Sequence, residues 1–193
     1  MKYSELVDVY SKLESTQSKL EKTKLLADLF EKTNEKDLGK IIFLSAGRVF
    51  PSYSDQEIGI ASKMMLKSIV KATGVSEKEV KKKFKNTGDL GLTASECISE
   101  RTQQTLMSKT LTVDKVFENL REMAKIEGKR SQEKKMNLIA ELFSSAKPEE
   151  ALYITRTVLE ELRIGVAEGL IRDAIVEAFL KPKDIKEKRN SGK

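Results

Sequence analysis

The sequence predicts an all-α fold, because helix-forming residues dominate the composition, apolar residues recur at helical spacing, and helix start signals recur along the chain. Lysine, glutamate and leucine are abundant, whereas proline and glycine number only 3 and 10 in 193 residues. This balance favours helix over strand. No stretch alternates with the period of two that is typical of a half-buried strand. We therefore expect about ten to eleven helices joined by short loops.

Four stripes of apolar residues mark the clearest amphipathic helices. Residues three and four positions apart share one face of a helix, and an apolar face packs against a core. The stripes consist of Tyr3, Leu6, Val7, Tyr10 and Leu13; Leu25, Leu26, Leu29 and Phe30; Val113, Val116, Phe117, Leu120, Met123 and Ile126; and Leu138, Ile139, Leu142 and Phe143. We expect these side chains to form the centre of the core.

Helix boundaries are predicted by short motifs. In a capping box, Ser or Thr precedes Glu by three residues, and each side chain satisfies a backbone N–H at the helix start. Such boxes begin at Ser18, Ser54, Ser76 and Thr93, and Pro148 is typical of a first helical turn. The run Gly-Asp-Leu-Gly at 88–91 is interpreted as a helix stop followed by a turn.

The chain contains an internal duplication. Residues 18–30 overlay 131–143, a separation of 113 positions, with Ser, Lys, Leu, Ala and Phe matched. The tetrapeptide Ile-Gly-Ile-Ala at 58–61 overlays Ile-Gly-Val-Ala at 164–167, a separation of 106 positions. The difference of seven positions predicts a longer loop in the first copy, near 50–55. Amphipathic helices can match by chance, but Gly and Ser matched at element boundaries favour a real duplication.

Two copies of a four-helix unit follow from this overlay, near 3–73 and 113–180. The stripe at 3–13 is then placed over 116–126. Further helices within 74–112 would connect the two units. We expect a pseudo-two-fold axis to relate the copies within a single domain.

The net charge of +6 is concentrated at one end of the chain. The segment 181–193 has six Lys or Arg side chains and two acidic ones, so it accounts for +4 and leaves about +2 on 1–180. Bulk charge therefore says little about a nucleic-acid partner, and the positions of charges and glycines must decide. We interpret 1–180 as one domain and 181–193 as a basic linker or tail.

Several classes of function and location are disfavoured by what the sequence lacks. It has no histidine, which is the commonest general base and metal ligand. Adjacent carboxylates such as Glu160 and Glu161 point apart on a helix, so they make a poor acid–base pair. Cys97 is the single cysteine, which excludes an internal disulfide and suits a reducing compartment. No apolar run approaches the roughly 20 residues that span a bilayer. We expect a cytoplasmic monomer with no catalytic site, metal site or membrane segment.

The loops before the second helix of each copy, 14–18 and 127–131, are candidate anion sites. Unpaired N–H groups at a helix start carry partial positive charge and attract phosphate. The candidate phosphate-binding residues are Ser18, Lys19, Lys22, Lys129, Arg130, Ser131, Lys134 and Lys135. Ordinary N-capping beside solvated lysines would be the simpler interpretation of either loop alone.

The Ile-Gly-(Ile/Val)-Ala segments are predicted to be turns that open the last helix of each copy. Their glycines, Gly59 and Gly165, allow the backbone to approach a ligand or a neighbouring helix closely. Arg163 precedes the second turn and Gly169 follows it, which would suit entry into the minor groove of DNA. Tight helix packing explains the glycines equally well. Four such helix starts in a duplicated frame favour the DNA backbone as the partner.

The segments that carry these features resemble the N-terminal DNA-binding domain of archaeal and eukaryotic ATP-dependent DNA ligases. The likeness extends over about 1–180. Its blocks, in chain order, are Lys-Leu-Glu at 12–14, Leu-Leu-Ala-Asp at 25–28, Val-Phe-Pro at 49–51, Glu-Ile-Gly at 57–59, Ala-Thr-Gly at 72–74, Thr-Gly-Asp-Leu-Gly at 87–91, Ser-Gln-Glu-Lys-Lys at 131–135 and Arg-Ile-Gly-Val-Ala-Glu-Gly-Leu at 163–170.

The resemblance implies an all-helical domain with internal pseudosymmetry that binds duplex DNA across the minor groove, on both sides of a nick, in replication and repair. Arg163 and Gly165 would approach the groove, Gly59 would be their counterpart, and the helix start at 131–135 would hold phosphates. ATP and Mg²⁺ would act in separate catalytic domains, where AMP is attached to the Lys of a Lys-x-Asp-Gly motif. That tetrapeptide is absent here. We therefore expect no cofactor for this chain and DNA binding without sealing, whether it is a truncated ligase or a natural stand-alone domain.

The alternative function is that of a helical protein-interaction module that recruits a sliding clamp. The resemblance implies it, because some archaeal ligases bind the clamp through a Gln followed by two aromatic residues in the loop before the third stripe. At that place Gln103 is kept, but Leu106 and Met107 replace the aromatic residues. We therefore expect weaker clamp binding than in those ligases.

Overall fold

The computed structural model describes residues 1–101 and 110–180, and these ranges contain ten helices and no strand. The all-α prediction is confirmed. None of the helices in the described ranges is both long and apolar enough to cross a bilayer. The helices are α1 (Tyr3–Ser15), α2 (Lys19–Lys32), α3 (Glu35–Ser45), α4 (Ser62–Thr73), α5 (Glu77–Thr87), α6 (Leu90–Ser99), α7 (Val113–Lys125), α8 (Ser131–Ser145), α9 (Pro148–Val158) and α10 (Glu168–Phe179).

Three of the predicted helix starts are confirmed. The Ser18 hydroxyl accepts a hydrogen bond from the Glu21 N–H at 3.3 Å and so caps α2. The Ser76 hydroxyl accepts one from the Glu79 N–H at 3.3 Å and so caps α5. Pro148 opens α9, where its missing N–H leaves no intrahelical hydrogen bond unmade.

The capping boxes predicted at Ser54 and Thr93 are wrong, because a competing local hydrogen bond sets the backbone in each case. Ser54 lies in the loop between α3 and α4, where its hydroxyl accepts from the Gln56 N–H at 3.2 Å and favours a turn over a helix. Thr93 lies inside α6, because the carboxylate of Asp89 caps that helix one turn earlier. The Thr93 hydroxyl instead donates to the Asp89 carbonyl at 2.9 Å.

The two copies meet where α1 and α7 begin side by side. The Tyr3 N–H donates to the Leu111 carbonyl at 2.9 Å, and the Val113 N–H donates to the Met1 carbonyl at 3.1 Å. These reciprocal bonds set Tyr3 opposite Val113, a separation of 110 positions. The overlay of 3–13 on 116–126 was therefore wrong by three residues, because an amphipathic stripe nearly repeats after three positions.

Helices are exchanged between the copies in the interior. The second helix of the first copy, α2, packs along α10, the last helix of the second copy. In the same way α8 packs along α4. Helices α5 and α6 lie between the copies in sequence; α5 packs on α4 and α6, and α6 packs on α9. The pseudo-two-fold stays an interpretation, and the reciprocal pairing of α2 with α10 and of α8 with α4 supports it.

The core runs through both copies. Its largest fully buried side chains include Tyr3, Tyr10, Phe30 and Phe143, which belong to three of the four predicted stripes. The rings of Tyr10 and Tyr153 lie edge to face with centroids 5.2 Å apart, so the core joins α1 to α9. Each copy therefore contributes to one continuous core.

Candidate nucleic-acid interface

The two glycine turns have nearly the same backbone conformation. Gly59 has φ +65° and Gly165 has φ +64°, in the left-handed region that favours glycine. Helix α4 begins at Ser62 and α10 at Glu168, three residues after each glycine. Neither helix start receives a side-chain cap. The N–H groups of both first turns are therefore not occupied by a capping side chain.

Each glycine turn is held by a lysine from the opposite copy. The ammonium group of Lys22, on α2, donates to the carbonyls of Ile164 at 2.7 Å and Gly165 at 3.2 Å. The ammonium group of Lys135, on α8, donates to the Ile58 carbonyl at 2.7 Å. Lys22 and Lys135 are the lysines that the internal duplication matches to each other, so the contact is reciprocal.

These contacts explain why two lysines lie beside the turns. Lys22 is only 5% exposed, and a buried ammonium group requires hydrogen-bond partners. A Cβ at Gly165 would collide with the Lys22 amine, and one at Gly59 would lie 3.1 Å from the Lys135 amine. A side chain at either position would therefore displace the lysine amine from the turn, and the positive φ independently favours glycine. That Lys22 and Lys135 contact phosphate stays a prediction, to which the structure adds a positioning role.

Arg163 stands beside the second turn in a strained conformation. Its φ is +58°, a left-handed value that costs a non-glycine residue roughly 1–2 kcal/mol. One guanidinium nitrogen donates to Asp89 at 3.1 Å, and another pairs with Glu161. Its side chain is 48% exposed. Arg163 is thus held on one side by carboxylates and open to solvent on the other.

Asp89 is the anchor of this cluster. One of its carboxylate oxygens accepts from the N–H groups of Gly91 at 2.6 Å and Leu92 at 3.1 Å, and the other accepts from Arg156 at 2.9 and 3.1 Å and from Arg163. Burial alone would raise the pKa of Asp89, but the hydrogen bonds from Arg156 and from the two backbone N–H groups together lower it. The carboxylate is therefore charged at neutral pH and can hold both arginines.

Arg156 completes the network at the other end. Its side chain is 7% exposed, and its remaining guanidinium nitrogen donates to both carboxylate oxygens of Glu14 at 3.0 Å. Helices α6 and α9 approach closely here, since a Cβ on Gly91 would lie 2.9 Å from both the Arg156 side chain and the Leu152 carbonyl. The run at 88–91 therefore ends α5 and turns the chain, and it also supplies the Asp89 carboxylate for Arg156 and the Gly91 at which α6 approaches α9.

Apart from an Asp beside a helix start, no sequence pattern predicts this network. Asp89 and Arg156 are 67 positions apart, and Arg156 and Glu14 are 142 apart. Only the packing of α6 and α1 on α9 brings these side chains together.

A groove of about 450 Å³ lies between the copies at the second glycine turn. It is lined on one side by the end of α3 and Gly47, and on the other by Leu162, Arg163 and Gly165. A Cβ on Gly47 would lie 3.3 Å from that of Leu162, so the loops of the two copies touch at this point. Arg48 adds an ion pair to Glu168 at the start of α10.

Comparison with known proteins places the chain in a family. Residues 2–176 match the family model described as DNA ligase N terminus. The chain belongs to this family. It is 48% identical to the DNA ligase of Methanothermobacter thermautotrophicus over 177 residues, 92% of this chain and 32% of the relative. It is 43% identical to that of Methanobrevibacter smithii over 188 residues, 97% of this chain and 34% of the relative.

A more distant relative, the DNA ligase of Nitrosopumilus maritimus, is 38% identical over 179 residues, 93% of this chain and 30% of the relative. The chain thus spans about a third of the length of these relatives. The resemblance to archaeal ligases that the sequence motifs indicated is confirmed.

The other predicted binding residues of this ligase N-terminal domain lie at exposed helix starts. Lys129, Arg130 and Lys134 are exposed around the start of α8, and Arg130 has φ +67°. Ser131 is the first residue of α8, not its cap, whereas Ser18 does cap α2. Gly169 lies in the first turn of α10 with open space beside it. The predicted clamp-binding residues Gln103, Leu106 and Met107, and the tail at 181–193, lie outside the described residues.

Among the described residues there is no group of three or more His, Cys, Asp or Glu side chains that could hold a metal ion. Burial raises the pKa of the Cys97 thiol to about 11, so this thiol is protonated at neutral pH and is a poor nucleophile.

Proposed function

We propose that this ligase N-terminal domain binds duplex DNA across the minor groove, without sequence preference, around a nick. The observation that carries the proposal is the reciprocal arrangement of the two glycine turns, each held by a lysine of the opposite copy. The phosphate backbone of a duplex has local two-fold character, so a duplicated unit can contact it on both sides of one point.

The chemistry of the turns suits this partner. Gly59 and Gly165 are exposed, so a sugar–phosphate backbone can come close to the main chain there. Arg163 presents the open side of its guanidinium group, which suits the electronegative minor groove. Minor-groove edges distinguish bases poorly, and phosphate contacts position the protein without specifying sequence. Binding is therefore expected to be indifferent to sequence.

The starts of α2 and α8 supply the phosphate contacts in this proposal. Lys129, Arg130 and Lys134 are exposed beside the start of α8, and Ser18 is exposed at the start of α2. Cations next to unpaired N–H groups form a favourable site for phosphate oxygens.

We extend the proposal to the protein of which such a domain is part, an ATP-dependent DNA ligase of replication and repair. The relatives are named DNA ligases and are about three times as long as this chain. This chain has no Lys-x-Asp-Gly tetrapeptide, so in this proposal ATP and Mg²⁺ are bound by other parts of the ligase. In this proposal the chain is an intracellular monomer that binds DNA without sealing it. Recruitment of a sliding clamp through Gln103, Leu106 and Met107 rests on the sequence alone.

The proposal is tested by fluorescence anisotropy with labelled nicked and intact duplexes over a series of salt concentrations. The expected result is binding whose log Kd rises linearly with log salt, with a slope of about 0.9 per phosphate neutralised, and tighter binding to the nicked duplex. Absence of binding at low salt would contradict the proposal. Equal Kd values for the two duplexes would show that the domain does not recognise the nick.

The Arg163→Ala variant tests the site. We expect its Kd to rise about fivefold, which corresponds to about 1 kcal/mol. Arg163→Lys is the matched control, because it keeps the charge and loses the planar fork; its salt slope should equal that of the unaltered domain. An unchanged Kd for Arg163→Ala would show that this arginine is not at the interface.

A further inference from the structure

A row of lysines leads away from the first glycine turn along α4. Lys63, Lys67 and Lys71 follow one another at intervals of four residues, so they share one face of the helix, about 6 Å apart along its axis. All three side chains are exposed. Helix α4 contains no acidic residue, so the row is a strip of charge +3.

The row is not neutralised by its surroundings. None of its lysines forms a salt bridge with a carboxylate among the described residues, and Lys71 donates to the neutral side chain of Asn137 on α8. Glu77 on α5 interacts electrostatically with Lys67, but it forms its ion pair with Lys81. Most of the positive potential of the row therefore remains available to a partner.

The equivalent row in the second copy has the opposite charge. The glycine turns set α4 and α10 in register at a separation of 106 positions, so Lys63, Lys67 and Lys71 correspond to Gly169, Asp173 and Glu177. The first row carries +3. The second carries two carboxylates, of which Asp173 pairs with the neighbouring Arg172 at 3.4 Å, so this face has a net charge of about −1. Both helices begin three residues after their glycine turn, so the two faces occupy equivalent positions in the two copies. A polar, solvated surface could be formed by either sign of charge, so the need for solubility does not explain why the two signs differ.

We propose that the lysine row of α4 binds the phosphate backbone of duplex DNA on one side only of the point gripped by the glycine turns. This inference rests on the proposed function. A duplex lying across both turns meets three cations on the α4 side, and on the α10 side two carboxylates with Arg172 beside them. The α4 side attracts phosphates and the net negative α10 side does not, so the contact with DNA is longer on the α4 side.

The test replaces Lys63, Lys67 and Lys71 together by Gln and measures the salt dependence of duplex binding by anisotropy. If all three lysines neutralise phosphates, the slope of log Kd against log salt falls by about 2.7. The shortest duplex that gives full affinity also becomes shorter, because contacts at one end are lost. A companion variant with Arg at the three positions should keep the unaltered slope and duplex length.

Two control variants make the assignment specific. Lys78, Lys82 and Lys85 on α5 are exposed, and replacing them by Gln removes the same charge from a neighbouring helix. This variant should lower the slope far less; an equal fall would mean a diffuse charge effect and would overturn the proposal. Asp173→Asn with Glu177→Gln on α10 removes repulsion without adding a cation, so the slope should stay unchanged; a steeper slope would show that phosphates are also bound along α10 and would overturn the one-sided assignment.

The outcomes separate this inference from the proposed function. If the unaltered domain fails to bind duplex DNA at low salt, the proposed function itself fails. If the unaltered domain binds but the variant with Gln at the three α4 positions keeps its slope and duplex length, the inference alone is overturned. Circular dichroism at the working temperature verifies that each variant is folded, which surface Lys→Gln changes should allow.

Discussion

Lys22 is a single side chain for which two roles can be separated by experiment. Sequence comparison of the copies predicts that it contacts phosphate, whereas the structure shows its ammonium group on the carbonyls of Ile164 and Gly165. A positioning residue shapes the turn without neutralising phosphate. A phosphate-binding residue contributes about 0.9 to the salt slope.

We expect Lys22→Met to weaken DNA binding with an unchanged salt slope and to lower the free energy of unfolding by about 1–3 kcal/mol, because two carbonyls lose their donor. Urea denaturation and anisotropy over a salt series measure the two effects. Lys19→Met, at an exposed position on the same helix, is the control and should leave stability unchanged. A slope reduced by about 0.9 in Lys22→Met would assign the lysine to phosphate instead. Lys135→Met should repeat the result at the other turn.

The lysines and glycines of the two turns could be predicted from the sequence, but which lysine contacts which turn could not. Matching Lys22 with Lys135 and Gly59 with Gly165 required only the internal duplication. An overlay of two copies gives no information on whether a helix packs within its own copy or on the other. Here α2 and α8 are exchanged, so each lysine reaches the turn of the opposite copy.

At the scale of helices, the boundaries show where local signals suffice. Ser18, Ser76 and Pro148 were predicted correctly because their effects are confined to one helical turn. Thr93 was misassigned because Asp89, four residues earlier, is the better cap, and its carboxylate is fixed there by arginines from α9 and the loop that follows it. That tertiary contact has no signature in the sequence around α6.

The Asp89 carboxylate joins the start of α6 to the end of α9, which gives a pH-dependent prediction. Asp89→Asn should lower the free energy of unfolding at pH 7 by about 3 kcal/mol, because the buried Arg156 loses a charged partner. The pKa of Asp89 is lowered in the folded domain. Its stabilisation is therefore present above the unfolded pKa of about 3.9 and is lost as pH falls through the lower folded value.

Urea denaturation at pH 7 and near pH 3 tests this. The difference between the unaltered domain and Asp89→Asn should narrow as the pH falls below about 4. Asp37→Asn is a useful comparison, since the pKa of Asp37 is also lowered, chiefly by a hydrogen bond from the N-terminal ammonium group, far from the turns. Of the two variants, only Asp89→Asn should also weaken DNA binding at pH 7, because Asp89 contacts Arg163 and Asp37 does not. If the difference in free energy of unfolding between the unaltered domain and Asp89→Asn did not change with pH, Asp89 would not be charged in the folded domain.

For the whole molecule, the exchange of helices makes each copy depend on the other. Helices α2 and α10 bury their apolar faces on each other, as do α4 and α8. The first helices are joined by the reciprocal hydrogen bonds at Tyr3 and Val113. Neither half therefore has a complete core of its own, although the sequence repeat by itself would equally allow two independent subdomains.

We therefore expect both copies to unfold in one cooperative transition. Native-state hydrogen exchange should give opening free energies for α2, α4, α8 and α10 that agree within about 1 kcal/mol, since none can lose its partner without exposing the shared core. The same exchange measured on Lys22→Met should lower all four values together. If α2 and α10 alone were lowered while α4 and α8 kept theirs, the copies would be separate folding units, and the two glycine turns would be held independently.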